Sequence, residues 1–265
     1  MKTVGIGSVT IGEGVPKICV PIMSARREQL LRQAEAACRV PCDLVEWRAD
    51  ALPPAQLRDL DFMIESAEAV RQRLDKPLLL TLRTEAEGGL VRLDRREYYS
   101  LLRDLSTELD VDAVDIEAFD EQQGFNGEKI EFLTSLAHEA GRTVLLSSHQ
   151  CDSTPDLDVM VRRLLVMQEL GADLPKIAVM PQSDRDVLDL LEAARVFHEH
   201  YARGPFIALA MGARGQVSRI CGGSFGSAVS FAAGGEENGL PPSAPGQMDA
   251  ALTRACICEY YRDTV

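Results

Sequence analysis

The feature that most constrains the fold is an eightfold alternation of short apolar runs with longer amphipathic segments along the chain. Short apolar runs indicate strands buried on both faces, and the amphipathic segments between them indicate helices that cover such a sheet. This order of elements is typical of a parallel sheet in an α/β protein. The predicted strands are 17–23, 44–50, 77–84, 113–119, 142–149, 175–181, 205–211 and 226–233.

Eight strand–helix units in a chain of 265 residues predict a closed (β/α)8 TIM barrel, which takes about 250 residues as one domain. A doubly wound open sheet is the alternative, but its dinucleotide-binding members carry G-x-G-x-x-G after the first strand. Here the first strand is followed by "PIMSARREQ", which lacks that motif. We therefore expect one barrel domain over residues 1–265 and no dinucleotide cofactor.

Local signals set several helix boundaries. Gly141 and Gly171 stand where helices should end, and Ser183 and the pair Thr154-Pro155 stand where helices should begin. The segment 55–74 is predicted to form one continuous helix after Pro53-Pro54.

Two segments fall outside the repeat. Residues 1–15 alternate polar and apolar side chains and are rich in glycine, which predicts a β-hairpin that closes the bottom of the barrel. Residues 234–247, "GGEENGLPPSAPGQ", form a long loop after the last strand. Loops of this length in compact domains often bind or cover ligands, and this one lies at the end where barrels keep their active sites. We interpret it as a lid loop.

Composition narrows the function classes. A net charge of −13 and a pI near 4.8 argue against nucleic acid or an anionic membrane surface as the main partner. No apolar run approaches the roughly 20 residues of a membrane helix, and the N-terminus lacks a signal-peptide pattern. The seven cysteines form no C-x-x-C pair or metal-ligand spacing. We expect a cytoplasmic protein with reduced thiols and no metal.

Polar side chains recur at alternate positions on five successive predicted strands, where one face should point into the barrel. They could form a buried ion-pair network that only fills the interior. However, burying charge costs several kcal/mol per ion unless it is well paired, and apolar filling is often as stable. Collected near the carboxyl ends of strands, the set indicates an active site. Its members are Glu46, Arg48, Asp50, Thr81, Arg83, Asp115, Glu117, Ser147, His149 and Lys176.

Lys176 is the unusual member because it heads its predicted strand, in "GADLPKIAVMP". Beside Arg48 and Arg83 its amine would lose a proton more readily, and a neutral buried amine attacks ketones and aldehydes. His149 could then move a proton on the carbon next to the iminium, with Glu87 orienting the histidine.

The remaining polar groups suggest the ligand. Arginines can clamp a carboxylate or phosphate, while a carboxylate, a hydroxyl and an amide can bind hydroxyls. A small polyhydroxylated keto acid fits this set. The clamp candidates are Arg48, Arg83 and Arg219, and the hydroxyl-binding candidates are Glu46, Ser243 and Gln247.

These residues also carry a family resemblance. The chain is similar to type I 3-dehydroquinate dehydratases of the shikimate pathway, and the matching motifs occur in family order across almost its whole length. They are "VEWRAD", "TLRTEAEGG", "SSH", "GADLPKIAVMP", "GQVSRICGGSFGSAVSF" and "SAPGQ".

The resemblance implies a (β/α)8 barrel that dehydrates 3-dehydroquinate to 3-dehydroshikimate without a metal or cofactor, commonly as a homodimer. It implies Lys176 as the Schiff-base lysine, His149 as general acid and base, and Glu87 as its partner. Arg219 would hold the substrate carboxylate. The other implied contacts to substrate are Glu46, Arg48, Arg83, Ser243 and Gln247.

The chain departs from the family pattern in the first strand near Pro21, where a serine is usual, and after His149, where an aromatic residue is more familiar than "QCDSTPD". The 234–247 loop also carries extra residues. Two other functions stay open. A class I aldolase-like lyase would use the same lysine and bind phosphate near Arg214, and an inactive barrel would serve as a regulatory partner.

Overall fold

The computed structural model describes residues 2–119 and 125–263, and it has eight parallel strands alternating with helices. This confirms the predicted (β/α)8 barrel. Each strand lies inside its predicted segment or within one residue of it. The barrel strands are β3 Lys17–Ile22, β4 Leu44–Arg48, β5 Leu78–Thr81, β6 Ala113–Glu117, β7 Thr143–Gln150, β8 Leu174–Val179, β9 Ile207–Ala210 and β10 Val229–Phe231.

The sheet closes on itself. Its hydrogen-bonded order runs β10-β3-β4-β5-β6-β7-β8-β9, and a parallel bridge between Phe206 and Ser227 joins the two ends. The Ala228 amide donates to the Phe206 carbonyl oxygen at 2.8 Å across the same seam. The open doubly wound sheet is therefore excluded.

Helices cover the outside of the barrel, and all but one of the predicted helices form as single segments. The segment 55–74 was predicted wrongly as one helix. The Asp59 side chain accepts a bond from the Phe62 amide and begins a second helix there. The helices are α1 Arg27–Ala37, α2 Pro54–Leu57, α3 Leu60–Arg71, α4 Arg95–Glu108, α5 Gly127–Glu139, α6 Leu157–Glu169, α7 Asp184–His200, α8 Gln216–Cys221 and α9 Ala250–Tyr260.

Most predicted helix boundaries hold. Ser183 caps α7 in a capping box with Asp186. Gly141 and Gly171 follow α5 and α6 with φ of +78° and +90°, a conformation that favours glycine. The predicted start at Thr154-Pro155 is wrong because α6 begins at Leu157.

The barrel wall separates two apolar cores. Outward-facing side chains such as Trp47, Leu80 and Ile116 pack under the helices and are fully buried. Inward-facing side chains form the second core, most of them near the amino ends of the strands, together with Leu209 and Phe231 nearer the carboxyl ends. Alternate side chains of a strand point to opposite faces, so β3 to β9 each contribute to both cores, while β10 contributes only to the inner one.

The predicted N-terminal hairpin closes the bottom of the barrel; Met1 lies outside the described residues. Its strands, β1 Val4–Ile6 and β2 Val9–Ile11, pair antiparallel. Ile6 and Ile11 are buried in the inner core. Burying one such side chain stabilises the fold by about 1.5–3 kcal/mol.

All seven cysteines are unpaired thiols. No helix among the described residues is long and apolar enough to cross a membrane. The long loop 234–247 contains one short 3-10 turn, Glu236–Asn238.

Candidate active site

A cavity of about 250 Å³ opens at the carboxyl ends of the barrel strands. It lies above the apolar inner core, at the end where barrel enzymes carry out their chemistry. All nine site residues predicted from the sequence line it. They are Glu46, Arg48, Arg83, Glu87, His149, Lys176, Arg219, Ser243 and Gln247.

Lys176 lies in the middle of β8, not at its start, and pairs in register with Ser147 on β7. Its side chain is only 5% exposed. The nearest charged partner of its amine is an acid: Nζ lies 3.1 Å from Asp115 Oδ2. The Phe231 ring lies against the same amine, with its centroid 4.3 Å from Nζ.

Asp115 is the fully buried carboxylate under this amine. Its Oδ1 accepts bonds from Arg83 Nη2 at 2.7 Å and from Ser147 Oγ at 2.6 Å. Burial alone would raise the pKa of Asp115, but the charges of Arg83 and Lys176 hold it well below its usual range. The carboxylate therefore stays ionised.

Glu87 and His149 form a hydrogen-bonded pair. Glu87 Oε2 lies 2.8 Å from His149 Nδ1 and accepts the His149 main-chain N–H at 3.2 Å. Because Nδ1 is engaged, Nε2 is the ring nitrogen available for proton transfer. Burial lowers the pKa of His149 well below its usual value, and Arg83 and Lys176 lower it further against the attraction of Asp115. The neutral imidazole, a general base, is favoured.

Two glycines position Glu87 after β5. Gly88 adopts φ of +81°, and a side chain there would come within 2.7 Å of Cys151 Sγ. A Cβ on Gly89 would lie 2.0 Å from the Arg83 carbonyl oxygen. The "EGG" sequence therefore allows the tight turn that folds Glu87 back over its own strand.

Arg83 connects the acids of the site. Its Nη1 lies 3.2 Å from both Glu87 Oε2 and Glu117 Oε1, while Nη2 binds Asp115. Burial raises the pKa of Glu87, and the neighbouring Glu117 raises it further against the effect of Arg83. Burial also raises the pKa of Glu117. The positive charge of Arg83 opposes this rise for both carboxyl groups.

Arg48 and Glu46 are fixed by partners on the barrel wall. Arg48 donates from Nε and Nη2 to the two oxygens of Asp50, both at 2.8 Å. Glu46 Oε1 accepts the Thr81 hydroxyl at 2.8 Å. These bonds orient the two side chains that line the cavity wall nearest β4.

Among the residues that the structure describes, Arg219 is the buried cation that has no carboxylate partner. It is 3% exposed, and its two terminal nitrogens donate to the main-chain oxygens of Phe231 and Pro245 at 3.0 and 3.3 Å. Its Nε is buried and has no hydrogen-bond partner. Burial lowers the pKa of Arg219 to about 10. A buried charge in this state strongly favours an anion beside it.

Ser243 and Gln247 reach the cavity from the 234–247 loop and bind each other. Gln247 Oε1 accepts the Ser243 amide at 2.8 Å, and Gln247 Nε2 donates to Ser243 Oγ at 3.2 Å. Gly246 makes this turn possible because a Cβ there would lie 2.2 Å from the Gly212 carbonyl oxygen. The "SAPGQ" motif thus packs the loop onto the barrel rim.

Several contacts in the site were not assigned from the sequence. Strand alternation predicts that Asp115, Glu117 and Ser147 face inward, but it assigns no role to them. The same rule groups Asp50 with them, although Asp50 lies beyond β4 and binds Arg48. Alternation along β10 would have placed Phe231 inward. Within residues 2–119 and 125–263, no group of three or more metal-ligating side chains could hold an ion.

Comparisons with known proteins agree on one family. The sequence model described as type I 3-dehydroquinase matches residues 18–257. A 3-dehydroquinate dehydratase from Syntrophotalea carbinolica is 41% identical over 255 residues, 96% of each chain. The type I enzyme of Clostridium difficile, solved with covalently modified comenic acid, superposes with a TM-score of 0.89 at 36% identity, covering 99% of this chain and 98% of that one. The Geobacillus kaustophilus 3-dehydroquinate dehydratase gives 0.90 at 32% identity, covering 100% and 98%.

Proposed function

Because the chain belongs to the type I 3-dehydroquinase family, we propose that it dehydrates 3-dehydroquinate to 3-dehydroshikimate through a Schiff base on Lys176. The family implies a lyase that works in the shikimate pathway. The chemistry proposed for the site uses a lysine nucleophile, a histidine acid–base and an arginine that binds the carboxylate.

The first step forms the iminium. The Lys176 ammonium releases one proton, and the free amine attacks the C3 ketone. The ketone oxygen leaves as water with that proton and a second one from the nitrogen, and a C=N bond with a positive nitrogen results. The iminium withdraws electrons from the neighbouring carbon and makes its C–H bond acidic. Supporting this role, Lys176 is buried in the cavity wall, where its amine is held against Asp115 and Phe231.

The second step is elimination. Neutral His149 removes the C2 proton and gives an enamine. The enamine then expels the C1 hydroxyl while His149 returns the proton to the leaving oxygen as water. The bond from Glu87 to Nδ1 orients the imidazole for both transfers. Hydrolysis of the product iminium releases 3-dehydroshikimate and restores the lysine.

The observation that carries the substrate assignment is the unpaired charge of Arg219. A carboxylate would satisfy its Nε and offset the burial of the guanidinium. Glu46, Arg48 and Arg83 are proposed to line the ring, with Arg83 mainly fixing the acids around it. Ser243 and Gln247 would contact the ring hydroxyls from the 234–247 loop, acting as a lid.

The aldolase alternative gains no support from the site. It requires a phosphate-binding group near Arg214, but that side chain is more than half exposed and forms a salt bridge with Asp184 on the surface. It does not line the cavity. The carboxylate-binding role of Arg219 needs no phosphate.

We also propose that the enzyme is a cytoplasmic homodimer formed from single-domain protomers. The seven unpaired thiols suit a reducing compartment, and the family resemblance implies the dimer. Light scattering coupled to gel filtration should give twice the 29.0 kDa chain mass. A monomer mass at micromolar concentration would refute the dimer.

The deciding experiment traps the covalent intermediate. The protein is mixed with 3-dehydroquinate and reduced with borohydride, and the adduct is mapped by peptide mass spectrometry. We expect one adduct on Lys176, together with the absorbance of the conjugated product in an untreated sample. Product formation without an adduct on Lys176 would refute the Schiff base, and the absence of both would refute the function.

A further inference from the structure

Asp115 is a buried acid of the site to which the proposed reaction so far assigns no role. It sits on β6, two residues before Glu117, and both carboxylates contact Arg83. Among the described residues, Asp115 is the one whose carboxylate is hydrogen-bonded to the Lys176 amine. Its other oxygen is held by Arg83 and Ser147, so it cannot turn away from that amine without losing both bonds.

Charge conservation makes this contact important for the proposed Schiff base, on which the inference rests. A lysine ammonium and a ketone give an iminium and water, so the nitrogen carries one positive charge before and after the step. The cationic nitrogen is buried in both states, and a buried charge is tolerated only beside a partner of opposite sign. Asp115 is in place to be that partner.

The charge then moves. When the C2–H bond breaks, its electron pair forms the C2=C3 bond, and the C=N π electrons become the nitrogen lone pair. The proton goes to His149, so the positive charge leaves the nitrogen beside Asp115 and appears on the imidazole beside Glu87. Arg83 bonds to both of these carboxylates and links the two ends of the transfer.

We propose that Asp115 is the counterion of the Schiff-base nitrogen and that Asp115 and Glu87, joined by Arg83, take turns in neutralising the charge that moves during the reaction. The Lys176 end of this arrangement holds the charge in the resting enzyme and in both iminium states. The His149 end holds it while the enamine exists.

Glu117 provides a matched control for this inference. It is as deeply buried as Asp115, lies on the same strand and contacts the same guanidinium at 3.2 Å. However, its oxygens are bound by the Thr84 amide and hydroxyl, both at 2.8 Å, and not by Lys176. Replacing either acid removes one buried negative charge from Arg83, and only the Asp115 change removes it from the lysine.

The test compares Asp115→Asn with Glu117→Gln. Each protein is equilibrated with saturating 3-dehydroquinate and reduced by a short borohydride pulse, and the fraction carrying the Lys176 adduct is read by intact mass. We expect Asp115→Asn to lower the trapped fraction about tenfold or more, the scale of a lost buried charge partner. Glu117→Gln should stay within about twofold of the unmodified protein, because the charge beside the nitrogen remains.

Each outcome decides the question. Equal trapping in Asp115→Asn and the unmodified protein overturns the proposal, and so does an equal fall in both variants, which would reflect only a general loss of charge around Arg83. If the unmodified protein itself gives no Lys176 adduct, the Schiff-base function has failed, which is a distinguishable result.

A second variant covers the case in which Asp115→Asn does not fold, as judged by circular dichroism. Ser147→Ala keeps every charge but removes the 2.6 Å bond that holds Asp115 Oδ1. We expect a smaller fall in the trapped fraction, about threefold, as one hydrogen bond is lost. An unchanged trapped fraction in this variant would overturn the role of Asp115.

Discussion

The two ends of the barrel interior are built on the same strands and with the same inward parity, yet with opposite chemistry. On β6 the inward residues run from Ala113 at the bottom to Asp115 and Glu117 at the top. On β7 they run from Leu145 to Ser147 and His149. The lower positions join the hairpin in an apolar core, while the upper ones form a hydrogen-bonded network of charges.

This contrast means that one end of the barrel interior mainly stabilises the fold, while the other end mainly serves the chemistry. Apolar burial at the bottom stabilises the fold without directional demands. The charges at the top stabilise little in total, because desolvation offsets most of their attraction, but they fix the positions and protonation states of reacting groups. Substitutions at the two ends should therefore change different measurements.

The largest expected effect is a loss of kcat when Lys176, at the active-site end of the barrel, is replaced. Lys176→Met should lower kcat by more than about 10⁴-fold, the scale of losing a covalent nucleophile. Its unfolding midpoint in urea should change little, since an apolar side chain of similar length replaces a buried cation and Asp115 keeps its Arg83 and Ser147 bonds. Substantial remaining turnover would contradict covalent catalysis.

His149→Ala should lower kcat by about 10²- to 10⁴-fold, the usual contribution of general acid–base catalysis. Imine formation should survive because the lysine and its counterion are intact. Intact mass after borohydride should therefore still show the Lys176 adduct, with substrate trapped before elimination. A variant that cannot be trapped would place His149 in the earlier step.

At the bottom of the barrel, Ile11→Ala should have the opposite effect: it should lower stability and leave turnover unchanged. Removing this fully buried hairpin side chain should lower the free energy of unfolding by about 2–5 kcal/mol, measured by urea titration. The values of kcat and KM at a temperature where the variant is folded should remain those of the unmodified protein. A clear fall in the kcat of the folded Ile11→Ala protein would contradict the distinction between the two ends.

The smallest effect concerns pH. Burial, Arg83 and Lys176 lower the pKa of His149, so its basic form persists below the usual histidine value of about 6.5. The acid limb of kcat/KM should accordingly lie below about pH 6.5. Ile11→Ala should give the same profile, because it changes no charge near the imidazole. An acid limb above this value would show that Glu87 dominates the histidine.

The inward positions were predictable because strand alternation is a local property of the sequence. Glu46, Arg83, His149 and Lys176 were all identified as lining the barrel by this rule. Their pairings were not predictable. Residues on different strands come side by side only through the stagger of the sheet, which set Lys176 beside Ser147 and one inward step below His149.

Other errors have similar causes. The predicted third strand was drawn to residue 84, whereas its ladder ends at Thr81, because the chain then bends to bring Glu87 over the cavity. The apolar pattern continues across the break between α2 and α3, so the prediction missed the helix start at Asp59, although aspartate is a preferred N-cap residue. Arg48 and Arg83 were expected to act on the lysine directly, but Asp115 lies against its amine.

The hairpin at the base also sets how molecules are exchanged. Because Ile6 and Ile11 fill the lower opening, the cavity of the barrel is open at one end only. Whatever reaches Lys176 from above must leave upward, past the same rim that admits the next molecule. The cavity therefore binds one molecule at a time, and product that stays bound prevents substrate from binding. Product inhibition should be competitive.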